Sequence, residues 1–242
     1  MHMSLLFGDY VFNMDLGEGD LSIRISEEDG QLRYRREGAG GTRDVAIAAE
    51  GGTVTINPIE PLNLPGEITT FLEIWFDPLL IEPEHKSTIY LTFPIEIGVF
   101  VYSKQDLEIL DIFSLTPPKY SLYGTPNEGV ITRFHQSRTS SSPPEVDPCC
   151  EGILELTVRN PTPEWTWVSR AVFESYGMKI YYDDAGASML ARMKIESRTS
   201  AETAFYDMPL RDGMKKSIEL YSARQIPVVK RVFDMGRGLV TW

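Results

Sequence analysis

The sequence predicts an all-β protein made of two β-sandwich-like modules, with at most one or two short helices. Three observations carry this expectation. Short alternating or uniformly apolar segments recur along the chain. The 19 Gly and 16 Pro are spread over its whole length, so few stretches are long enough for a helix without meeting one. Turn-forming residues fall between the apolar segments.

Taken in order, Leu21-Ser22-Ile23-Arg24-Ile25 alternates with a period of two, which puts one side of an extended chain on a core and the other in water. Val45–Ile47 and Val54–Ile56 repeat the pattern. Glu28-Asp29-Gly30 marks a hairpin, because Asp-Gly accepts the positive φ angles of a tight turn, and Gly51-Gly52 is a second break. Phe71–Phe76 is a heavier strand. Ile89–Phe93 and Ile95–Tyr102 flank Pro94, which has no N–H for a ladder, so the pair fits one bent edge strand or two short ones. Tyr120–Phe134, Ile153–Val158, Met178–Tyr182, Met189–Ile195 and Ile226–Phe233 complete the strand pattern, with Asp183–Gly186 as a tight connection. The best helix candidate is Leu210–Ala223, where Met214, Ile218 and Tyr221 share a face and Asp212 is placed to cap.

Thr116-Pro117-Pro118 is a stiff extended tripeptide and sets the expected boundary between an acidic N-terminal sandwich, 1–116, and a C-terminal sandwich, 117–242. The Ser/Pro-rich loop 136–148 inside the second module is expected to be a hairpin tip. The chain has 23 Lys/Arg against 35 Asp/Glu, net −12. Residues 151–242 hold 13 basic and 12 acidic residues, net +1, so 1–150 hold the other 10 and 23, net −13. Such a field argues against nucleic acid as a partner. A cluster of basic residues in the tail, among them Arg211, Lys215 and Lys216, is read as complementary to the acidic first module or to another subunit. The opening residues lack the charged and apolar regions of a secretory signal. The longest apolar stretch, Ser87–Ser103, is broken by Pro94 and Glu96 and is short of the roughly 20 residues of a membrane helix. A cytoplasmic protein with no membrane span is expected. Cys149 and Cys150 are neighbours and are read as two reduced thiols in a loop.

No catalytic residue, metal site or cofactor is expected. There is no nucleophile elbow and no phosphate-binding glycine loop. Glu82-Pro83-Glu84-His85 alternates sides along an extended chain and cannot easily converge on one ion, and Asp15–Asp20 lacks calcium-loop spacing and reads as a hairpin. A hydrolase would have to use His85 or His135 as base, with partners that spacing does not reveal. The most distinctive segment is Asn160–Tyr176. Trp165 and Trp167 lie two apart and share one side of a strand, with Val168, Arg170 and Val172 on the other. Tryptophan is a large amphipathic anchor, so Trp165, Trp167 and Arg170 are the candidate binding residues. They fit a non-enzymatic protein-binding or self-assembly module first, and a carbohydrate or small-ligand binder second.

Tyr90-Leu91-Thr92-Phe93-Pro94-Ile95-Glu96 and the later Asn160-Pro161 with Trp167-Val168-Ser169-Arg170 resemble a family of uncharacterised archaeal proteins found chiefly in methanogens. The resemblance covers most of the chain and implies an archaeal source. It transfers no catalytic or ligand-binding residue.

Overall fold

A computed structural model describes residues 7–11, 13–28, 31–48, 53–64, 66, 68–103, 106–220 and 232–234. Among these residues nineteen strands follow one another: β1 (Gly8–Tyr10), β2 (Met14–Glu18), β3 (Leu21–Glu28), β4 (Gln31–Gly38), β5 (Gly41–Ile47), β6 (Thr53–Ile59), β7 (Phe71–Ile81), β8 (His85–Pro94), β9 (Glu96–Ser103), β10 (Asp106–Phe113), β11 (Tyr120–Tyr123), β12 (Val130–Gln136), β13 (Glu151–Asn160), β14 (Thr166–Glu174), β15 (Tyr181–Asp183), β16 (Gly186–Ile195), β17 (Ser200–Tyr206), β18 (Lys215–Lys216) and β19 (Val232–Asp234). Between β14 and β15 lies a single 3-10 turn, Ser175–Gly177. The fold is all-β, as the sequence predicts.

The strands form four sheets. Sheet A has the order β1-β6-β9-β10, and sheet B is the meander β2-β3-β4-β5. Sheet C runs β11-β12-β7-β14, with β12 parallel to β7. Sheet D runs β18-β15-β16-β13-β8, with β17 also against β16 and β19 against β17. Alternation in β3 and β4 buries Leu21, Ile23, Ile25, Leu32 and Tyr34 and leaves the intervening residues to water. Buried apolar residues of all four sheets join one continuous cluster, which includes Ile23, Ile56, Val99, Leu72, Phe173, Leu91, Leu156 and Met189.

Sheets A and B meet around a buried charge. Asp111 of β10 accepts from the Tyr34 hydroxyl at 3.0 Å and from Arg36 Nε at 2.6 Å, and the Arg36 guanidinium lies over the Phe113 ring. Sheets C and D are tied where Thr203 of β17 donates to the carbonyl of Val172 in β14 and where Thr92 of β8 meets His135 of β12.

The hydrogen-bonded ladders cross residue 117, where the sequence places a module boundary: β7 and β8 pair with β12, β13 and β14 from beyond it. Several other expectations are corrected. Of the two readings left open around Pro94, one bent strand or two strands, the structure shows two. Pro94 ends β8 in sheet D, Ile95 crosses over, and β9 begins in the middle of sheet A. The loop 136–148 is not a hairpin tip. It carries the chain from β12 in sheet C to β13 in sheet D and is pinned midway by paired backbone hydrogen bonds between Tyr90 and Ser140. Met178–Ile180 precedes β15 instead of joining it. The helix expected over Leu210–Ala223 is replaced within 210–219 by a turn and β18, which pairs with β15. Residues 221–231, which include most of the expected last strand, lie outside the described residues, as do Asp29, Gly30, Gly51 and Gly52. Glu28 and Gln31 nonetheless face each other across the expected hairpin. The Asp183–Gly186 hairpin forms as expected: Gly186 supplies a φ of +122° and Asp183 Oδ1 accepts from the Ala185 N–H at 2.9 Å.

Candidate functional site

Two regions combine side chains in ways that packing alone does not require. The first is the end of β14, an outer strand of sheet C. It is held by Asn160, which is fully buried. Its amide nitrogen donates to the carbonyls of Ile81, Glu82 and Glu164, and its oxygen accepts from both the N–H and the hydroxyl of Thr162. One side chain therefore ties the turn after β7 to the turn before β14. Trp165 stands on this braced turn and Trp167 one strand residue past Thr166; they are 52% and 64% exposed. Trp167 pairs across the ladder with Leu80, which is 44% exposed. The three make an exposed apolar patch on a fixed frame. Beyond it, Val168 is opposite Leu79 but Arg170 is already opposite Trp75, so Phe76, Asp77 and Pro78 bulge out of β7. Pro78 has no N–H to offer a ladder, which suits it to a bulge.

Arg170 does not join the two tryptophans. It is buried, its Nη1 lies 3.5 Å from Glu73 Oε1, and its guanidinium covers the Tyr123 ring. Glu73, also buried, accepts from Trp75 Nε1 at 2.7 Å, Ser121 Oγ at 2.6 Å and Thr132 Oγ1 at 2.9 Å. These donors satisfy a charge that would otherwise be costly to bury. Arg170 thus positions sheet C, and the bulge separates it from the tryptophan patch.

The second region is a cleft of about 170 Å³ lined by Pro94, Thr116, Lys119, Arg133, His135 and Glu151, among others. Arg133 and His135 alternate on one side of β12 and face inward. Thr92 Oγ1 is 2.7 Å from His135 Nε2, and Glu151 Oε1 is 4.0 Å from the same nitrogen. A catalytic triad needs its carboxylate on the opposite ring nitrogen from the hydroxyl. Burial, reinforced by the positive charges of Arg133 and Lys119, lowers the His135 pKa to about 4, far below the range of an efficient base at neutral pH. Cys150 also lines the cleft, but burial and the neighbouring Asp147 push its thiol to about 12, so no thiolate nucleophile forms. Arg133 is 2% exposed, and its Nε–H has no hydrogen-bond partner.

The remaining candidates scatter. His85 begins β8 and is exposed, and His2 lies outside the described residues. Asp15 pairs with Arg24 across the β2–β3 hairpin. Cys149 is buried and Cys150 half-buried, and neither is in a disulfide. Arg211 pairs with Asp183 and Lys216 with Asp207 and Glu219, so these tail cations find partners within their own half of the chain. Among the described residues no group of three His, Cys, Asp or Glu side chains is placed to hold a metal ion, and no helix is long and apolar enough to cross a membrane.

Sequence reasoning missed Arg133, Glu73 and Asn160. The run Thr132-Arg133-Phe134-His135 carried a signal for the first, since it sets two cationic residue types on one side of a strand. Their cleft is closed by residues from three other segments, which no local pattern reveals. The model of a family described as "Protein of unknown function (DUF432)" matches residues 6–236. Neither the curated proteins nor the solved structures contain a match.

Proposed function

We propose, for a chain that belongs to the DUF432 family, a non-enzymatic role as a protein-binding and assembly module whose first partner is a second copy of itself. The observation that carries this reading is the exposure of Trp165, on the turn that buried Asn160 braces, and of Trp167 and Leu80, paired in the adjoining ladder. Large apolar side chains fixed in one geometry lose little entropy when a partner covers them. β14 adds a second means of contact. Among the described residues no strand forms a ladder along its outer side; β17 touches its far half, where Thr203 donates to the Val172 carbonyl and Phe205 stacks on Phe173, and Arg198 pairs with Glu164 ahead of its start. The stretch that carries Trp167 is therefore open to strand addition.

The magnitudes set the strength of such a contact. The two indoles expose roughly 250–300 Å² together, worth about 7 kcal/mol gross at about 25 cal/mol per Å². Two-fold pairing doubles that to about 14 kcal/mol, against an association cost of about 4–15 kcal/mol. The net lies between about +1 and about −10 kcal/mol, with its middle, about −4 to −5 kcal/mol, near a millimolar dissociation constant. The same aromatics would serve a sugar-binding role, but neither the Arg133 cleft nor the groove around Arg24 and Arg35 is lined by a tryptophan. An archaeal, cytoplasmic setting belongs to this reading and is compatible with the acidic composition. The test is the mass of the wild-type chain and of W165A/W167A across a concentration series. Concentration-dependent growth that disappears in the variant supports the proposal, and equal behaviour of the two refutes it.

A further inference from the structure

We infer that the cleft between sheets C and D is a binding site for a small monocarboxylate, with Arg133 as its principal ligand and Lys119 at its rim. The inference does not depend on the tryptophan patch. It begins with the unused Nε–H of Arg133, a residue almost wholly withdrawn from water. A buried guanidinium N–H without an acceptor is costly, and an anion seated in the cleft would supply one. The side chain is held from two sides: Nη1 donates to the Lys119 carbonyl at 3.3 Å, and the guanidinium stands over the Tyr120 ring. The group is therefore preorganised with its Nε–H unused.

Charge selects the ligand class. Lys119 and Arg133 face one carboxylate, Glu151, across the cleft, which leaves a single positive charge for a ligand to neutralise. A second carboxylate, buried Glu96, is not part of the lining but also acts on Arg133 electrostatically and offsets part of that charge, which disfavours a multiply charged ligand further. A monoanion matches this balance, whereas phosphate or a dicarboxylate would set extra negative charge against Glu151. His135 feels the same two cations: burial lowers its pKa most, and the charges of Arg133 and Lys119 lower it further. Size selects further. A space of about 170 Å³ is roughly that of five or six waters in the liquid, enough for a carboxylate with a two- to four-carbon tail. Pro94, Pro117 and Phe134 offer that tail an apolar wall.

Titration of the full-length protein with sodium propionate, sodium phosphate and sodium succinate at matched ionic strength tests the inference, by calorimetry and by the ring shifts of His135 in NMR spectra. Propionate should bind saturably and move the His135 signals, with phosphate and succinate weaker. R133Q should weaken propionate binding ~10–100-fold, the value of a charge-assisted hydrogen bond. K119Q, at the exposed rim, should weaken it ~2–5-fold. If R133Q does not fold, the K119Q effect and the His135 shifts decide. Absence of saturable propionate binding, tighter binding of phosphate, or unchanged affinity in both variants would overturn the inference.

Discussion

Replacing Glu60 by Gln should make the protein less sensitive to alkali. Glu60 follows β6 and is 3% exposed, and its Oε2 has no hydrogen-bond partner. Burial, aided by the charges of Glu219 and Glu96 and opposed by Lys179, raises its pKa from 4.5 to about 8. A carboxyl group with a raised folded pKa keeps its proton in the native state while the unfolded chain gives it up. Its contribution to stability is complete below about pH 4.5 and is lost as pH rises through 8. Integrated between pH 6 and pH 9, the difference is about two pKa units of free energy, or about 2–3 kcal/mol. Glutamine occupies the same space and does not titrate, so E60Q should lose that much less stability over the interval. Urea unfolding at both pH values, with midpoints and slopes fitted separately, measures it. A wild type whose stability falls no more steeply than that of E60Q would refute the account of Glu60 as a buried, protonated acid. Glu96 adds a second, smaller loss over the same interval, because burial raises it to about 7 and the N–H groups of Asn63 and Leu64 bond its oxygens.

Other predictions concern single buried contacts. Asp111→Ala leaves Arg36 as an uncompensated buried charge and the Tyr34 hydroxyl without its acceptor; a loss of about 3–5 kcal/mol is expected in denaturant unfolding. In acid His135 contributes a loss of stability. Its lowered pKa means that the unfolded chain takes up a proton first, so stability falls as pH drops from 6.5 through about 4. H135Q should flatten that limb of a pH–stability curve, and a limb of unchanged steepness would count against the burial of neutral His135. Asn160→Ala removes the brace under the tryptophan turn, with an expected cost of about 2–4 kcal/mol from backbone groups left unpaired. Hydrogen exchange at residues 161–166 should accelerate in this variant, and protection equal to wild type would contradict the bracing role.

The sequence made strands legible wherever one side was buried and the other wet, as in β3, where Ile23 and Ile25 alternate with exposed Arg24. It did not reveal which strands pair. Pro94 looks the same locally whether it bends one strand or carries the chain from sheet D to sheet A. The parallel pairing of β12 with β7 joins residues about sixty apart, and no turn signal announces such a ladder. Trp165 and Trp167 stood out by type and spacing. Their exposure was not readable, because an aromatic pair two residues apart looks alike on a core face and on an open one. Arg170 sat in the same motif for a different reason: it answers Glu73, which comes from a strand nearly a hundred residues earlier. The Arg133 cleft was hidden for the same cause, since Thr92, Lys119 and Glu151 reach it from separate segments.

Sedimentation equilibrium of wild-type protein beside W165A/W167A, from about 10 µM to about 1 mM, bears on the assembly role most directly. The wild type should gain mass with concentration, and the variant should remain monomeric with unchanged far-ultraviolet circular dichroism and melting temperature. A wild type that stays monomeric throughout, or a variant that assembles just as strongly, would contradict the assignment of the β14 edge as the contact surface.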